Sequence, residues 1–185
     1  MDDINADQQR IMGLLEPYLD RMFPIFEAAV NLYNTEVSPK ARAEHDIRAI
    51  TNSIICHAWA GFQREFSDEP GFHFLETRGL KVLNIKDEIV ARFKKVDANG
   101  RHKNADTAQQ RAFDKQQTLP DIPPAASRIV MGYQPDEAFS TVERVIVRRP
   151  LGTWVSQIIE TTDIGSWVDI TPLELPFPAQ RRAAG

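Results

Sequence analysis

A chain of 185 residues with 42% hydrophobic and 26% charged side chains has the composition of one globular domain, with enough length to bury a single core. Its longest apolar runs fall short of the roughly 18 residues that a membrane span needs, and the opening MDDINADQQR lacks the basic and apolar regions of a signal peptide, so the expectation is a cytoplasmic protein without membrane contact. One cysteine, Cys56, excludes an internal disulfide and a multi-thiolate metal site.

The net charge of -4 is unevenly spread: residues 1 to 76 carry 6 basic against 13 acidic side chains, residues 77 to 150 carry 14 against 9, and residues 151 to 185 carry 2 against 4. A basic middle between acidic flanks fits a nucleic-acid surface. It fits equally an acidic helical half that pairs with a basic sheet inside one fold.

In chain order, Ile11, Leu14 and Leu15 at helical spacing predict a short helix beginning near Asn5 or Asp7. Pro17 suits the first turn of a second helix, whose apolar rhythm Leu19, Met22, Phe23, Phe26, Val30, Tyr33 runs to Glu36. Pro24 lacks an N–H and crowds the preceding turn, so a kink or break is expected there. Ser38 as cap and Pro39 as first helical residue start a third helix, predicted to run unbroken to about Phe66 with Ile47, Ile50, Ile54, Ala58, Trp59 and Phe62 inward. Ser67 to Gly71 is a turn cluster, and beyond it the pattern changes from helical to β.

Leu80 to Ile85 and Ile89 to Val96 flank the polar Lys86-Asp87-Glu88 and read as a hairpin. Alternation along the second strand puts Ile89, Ala91 and Phe93 on one face, and Val90, Arg92, Lys94 and Val96 on the other. Asp97 to Gly100 is a turn leading into the basic loop Arg101-His102-Lys103. Asn104 or Asp106 caps a helix to about Gln117, with Ala108, Ala112 and Phe113 inward and Arg111 and Lys115 outward. Leu119 to Pro124 is a proline-rich connector. Three more strands are predicted at Ile129 to Gln134, Thr141 to Arg149 and Thr153 to Glu160. The fold class is therefore α+β: two or three N-terminal helices packed on a four- to six-stranded, mainly antiparallel sheet with one inserted helix. All 185 residues form one domain, with a helical half 1–66, a sheet half 72–160 and an irregular proline-rich strap 163–185 packed by Trp167, Leu173, Leu175 and Phe177.

Phosphate-cradling GxxxxGK, dinucleotide GxGxxG, GxSxG and HExxH patterns are absent. His45-Asp46 is an HD dipeptide without the further ligands a metal phosphohydrolase would need. Arg92, Lys94, Lys95, Arg101, Lys103, Arg111 and Lys115, joined by Arg148 and its neighbours Arg144 and Arg149, supply the cations of a phosphate-binding surface. The expected function is thus a non-catalytic regulatory or interaction protein whose partner is a nucleic acid or a protein, with Trp154 and Trp167 as candidate anchors for the latter. No resident cofactor is expected, and the oligomeric state is open.

One enzymatic alternative stands beside it. Glu76, Asp87, Glu88 and Lys94 provide the carboxylates and lysine of a Mg²⁺-dependent nuclease, and a helix on either side of the hairpin resembles the restriction-endonuclease-like layout over about residues 70 to 117. That resemblance implies Mg²⁺ as cofactor. It departs from the family pattern at Arg92, two positions before Lys94, where an acidic residue is expected.

Overall fold

The computed structural model describes residues 2–77, 80–102, 108–115, 117, 122–150, 154–159 and 166–171. Helices α1 (Asp2–Leu15), α2 (Leu19–Glu36), α3 (Pro39–Glu44) and α4 (Ile47–Phe66) are followed by strands β1 (Phe72–Thr77), β2 (Leu80–Ile85) and β3 (Ile89–Lys95), helix α5 (Ala108–Asp114), and strands β4 (Ser127–Pro135), β5 (Val142–Arg148), β6 (Val155–Ile159) and β7 (Ser166–Asp169). The architecture is α+β as expected.

Sequence order and spatial order coincide across the sheet, β1 to β7, and every neighbouring pair is antiparallel except β3 with β4. Short turns allow only antiparallel neighbours, whereas the long connection 96–126 carries the chain back over the sheet so that β4 can run alongside β3. The predicted hairpin is present, closed by Lys86 and Asp87 at φ 53° and 56°, the left-handed pair of a tight hairpin turn.

Four expectations are corrected. The sheet has seven strands rather than four to six, because Phe72–Thr77 and Ser166–Asp169 each add an edge strand. Within the predicted strap, residues 166–169 are therefore strand, and Trp167 pairs with Ile158 and packs on the core; Leu173, Leu175 and Phe177 lie outside the described residues. The helix predicted over 39–66 is two helices. Asp46 takes an extended backbone, and its Oδ1 accepts from Ala49 N at 2.7 Å, starting α4 afresh. The HD dipeptide is thus a helix junction, and His45 Nδ1 meets the Tyr33 hydroxyl at 2.9 Å. Finally, the alternative of a break at Pro24 does not occur, since Pro24 lies within the continuous α2. It is on the exposed side, where the carbonyl that loses its helical partner can reach water.

Two layers cover the sheet. On one face, α2 and α4 bury Phe26, Ala58 and Phe62 against Ile89, Ala91, Phe93, Met131, Tyr133 and Val147. Phe62 is central, stacked on Phe93 at 4.2 Å between ring centroids and edge-on to Phe26 at 5.4 Å. On the other face, α5 lays Phe113 over Leu80, Val82 and Val90, Gly100 of the 97–102 loop lies on Ile146 and Val155, and Val96 clusters with Val130. Strand β4, fourth of seven, is consequently buried on both faces.

Charge pairing between the halves is limited. Asp7 of α1 accepts from Arg149 Nη1 at 2.6 Å and from the indole of fully buried Trp154 at 2.9 Å, and Arg10 pairs with Glu88 at 3.2 Å. Arg21 pairs with Glu65 of α4 and with Glu69 in the turn that follows it.

Candidate nucleic-acid interface

Strand alternation and register assemble the site. On the α5 face, Arg92 of β3 and Arg148 of β5 both lie opposite Val130 of β4, and Lys94 lies one row on, opposite Gly132. Adjacent strands are about 4.8 Å apart and residues on one face about 7 Å apart along a strand, so three cationic stems rise from a triangle about 10 Å across. The floor between them is Val130 and Ile146.

The walls are local structures. On one side Phe113 of α5 lies beneath the Arg92 guanidinium, 5.3 Å from its carbon, and Asp114 follows at the helix end. On the other, Asp97 Oδ1 accepts from Asn99 N and Arg101 N at 2.9 and 2.8 Å, folding 97–101 into a tight loop. Gly100, at φ 68°, lies flat on the sheet there, since a Cβ would meet Ile146 and Val155 at 3.1 and 3.2 Å. Its carbonyl accepts from Arg148 Nη1 at 3.0 Å. His102 follows, half-buried, in the field of Lys94, Asp114, Arg148 and Arg92.

Burial and like charge leave their mark on titration. Burial lowers Arg92 to about 10, eased by Asp114. Lys94 falls to about 8, first through burial and then through Arg92, against the pull of Asp114. His102 falls to about 4, through burial and then the Lys94 charge, and so is neutral at pH 7. Arg148 is lowered by burial and by Arg101, with Asp97 and Asp114 opposing. The arrangement concentrates positive charge over an apolar floor, where an entering anion is attracted far more strongly than in water.

The predicted cations divide by position. Arg92, Lys94 and Arg148 come together in this half-buried cluster, while Arg101, Arg111 and Lys115 are exposed near its walls. Lys95 alternates to the opposite face, its Nζ 5.3 Å from the Phe139 ring centroid. Arg149 is committed to Asp7, and Arg144 lies opposite Gln134 farther along the sheet. Lys103 and the expected caps Asn104 and Asp106 lie outside the described residues.

The nuclease constellation is not assembled. Glu76 is on the α2/α4 face, 3.7 Å from Lys81. Asp87 accepts from Asn84 within the hairpin turn at 2.6 Å, and Glu88 pairs with Arg10. Lys94 is on the other face from Glu76 and six residues along β3 from Glu88, about 20 Å at strand rise. Among the described residues no cluster of three or more His, Cys, Asp or Glu could hold a metal.

Sequence reasoning passed over Asp114 and Arg128. Asp114 follows inward-facing Phe113, so its place beside the cluster was implicit in the helix phase. Arg128 stands just before the apolar run of β4, on the same face as Arg92, and only 1% of it is exposed. A groove of about 660 Å³ between α2 and α4 lies on the solvent side of the helical layer, but Arg21 at its rim is held by Glu65 and Glu69. No helix among the described residues is long and apolar enough to cross a membrane. No family model matches the chain, and comparison with characterised proteins and with solved structures gave no match, so the chemistry of this basic cluster is what a functional reading must stand on.

Proposed function

We propose that this chain is a non-catalytic interaction protein that binds nucleic acid through the α5 side of its sheet. One observation carries the reading: Arg92, Lys94 and Arg148 share a half-buried sheet face, and exposed Arg101, Arg111 and Lys115 stand around it. Exposed lysines and arginines make phosphate contacts that release counterions, and such contacts give affinity without sequence readout. Aromatic platforms for base stacking are not part of this set, since Phe113 is fully buried and Phe93 faces the helices. The expected mode is therefore backbone recognition.

The test is fluorescence anisotropy with single-stranded and duplex oligonucleotides over a salt series. Each neutralised phosphate contributes about 0.7 (single strand) or 0.9 (duplex) to the slope of log affinity against log salt. Changing Arg101, Arg111 and Lys115 together to Gln leaves the buried layer untouched and is expected to reduce that slope by about 2 to 3. No binding at low salt, or a salt-independent affinity, refutes the proposal. A co-purifying protein that survives high salt would instead point to a protein partner.

A further inference from the structure

Resting on the nucleic-acid reading, we propose that Arg92, Lys94 and Arg148 seat one phosphate monoester between α5 and the 97–102 loop, the dianionic end of a strand in preference to its internal diesters.

The size of the cluster argues for a single group. Three long cationic side chains rise from a triangle about 10 Å across, so their heads can converge on one tetrahedral oxyanion above Val130. Each wall stands against a cationic stem: Phe113 is packed against the Arg92 side and Gly100 against the Arg148 side. An internal diester would have to bring two flanking nucleotides down between them, whereas a terminal phosphate brings one.

Charge points the same way. Among the described residues Arg92, Lys94 and Arg148, with Arg101, Arg111 and Lys115 around them, stand against Asp97 and Asp114, an excess of four positive charges that a singly charged diester offsets less than a monoester does. A phosphate monoester carries about -1.5 to -2 at pH 7, while a diester carries a single charge. Asp97 is occupied by the amides of its own loop, and Asp114 lies on the α5 side. Donor geometry adds a third argument. Arg148 gives Nη1 to the Gly100 carbonyl, yet its buried Nε has no hydrogen-bond partner among the described residues.

The experiment compares strands of one sequence ending in a 5′-phosphate, a 3′-phosphate or hydroxyls only, each labelled away from the end being compared. One phosphate-ended strand is expected to bind at least about tenfold more tightly than the hydroxyl-ended strand, the effect of one additional charge-assisted hydrogen bond. Excess inorganic phosphate should erase that advantage, and Lys94→Met and Arg148→Gln should each bring it to within about twofold. Circular dichroism checks that the variants fold. If either does not, the comparison of strand ends on the unaltered protein decides. Equal affinity for all ends overturns the inference and leaves the nucleic-acid reading standing; no binding of any strand at low salt overturns both.

Discussion

Replacing Lys94 by Met removes an ammonium and keeps an unbranched stem, and the expected result is a protein that is more stable at pH 7. Lys94 is lowered from 10.5 to about 8, first by burial and then by Arg92, with Asp114 opposing. At 1.36 kcal/mol per tenfold, that difference corresponds to about 3 kcal/mol of strain in the charged, folded form, and its partial contact with solvent reduces the expectation to about 2 kcal/mol. The pH dependence fixes the sign. Between about 8 and 10.5 the unfolded chain holds the Lys94 proton that the folded chain has released, so the stability of the unaltered protein rises with pH across this window. Below about 8 both states are protonated and the full cost is present. Urea unfolding of both proteins at pH 7 and at pH 10 measures this directly: the Met variant should be the more stable at pH 7, with the difference shrinking toward pH 10. A Met variant less stable at pH 7, or a difference that does not change with pH, would refute the placement of Lys94 in a cation-rich, desolvated cluster.

Two further outcomes follow from the same structure. His102 is held near 4 by burial and by Lys94, Arg148 and Arg92, with Asp114 opposing, so stability should be fully present above 6.5 and fall as pH drops from 6.5 toward 4; imidazole resonances followed by NMR should show a neutral ring at pH 5, and a midpoint near 6.5 would contradict the burial described. Phe62→Ala should cost about 3 to 5 kcal/mol in urea unfolding, because the ring stacks on Phe93 at 4.2 Å and is fully buried; a loss below about 1 kcal/mol would mean that the helices do not pack on the sheet at this point.

The hairpin was legible because its signals are local: two β-rich runs, a polar break, and an alternation that assigned Phe93 and Arg92 to opposite faces. Helix α5 and its inward Phe113 were legible for the same reason. The helix junction at His45-Asp46 was not, because apolar periodicity continues through it, and only the preference of Asp for a capping position argues for a stop. The edge strands escaped for another reason. Ser166–Asp169 has four residues and takes its conformation from pairing with β6, a contact that no local pattern encodes. Burial of Arg92 and Lys94 escaped most fully. Alternation says which face a strand residue occupies, but whether a second layer covers that face depends on where the 96–126 crossover lies.

That crossover links fold to candidate function. Parallel pairing of β3 with β4 requires a long return over one face, and the return is the segment that carries the tight 97–101 loop, His102 and α5. A single topological demand therefore builds both walls around the cations of β3 and β5. It also explains why the charges are there at a cost. A solvated sheet face with Arg92, Lys94 and Arg148 would be nearly neutral in stability, whereas a covered one lowers the pKa of all three and so opposes folding. Apolar side chains at these positions would join Val130 and Ile146 in an ordinary second core. If the proposed anion site is what these covered cations serve, the pH 7 gain expected of Lys94→Met and its loss of phosphate-end preference should appear in the same variant.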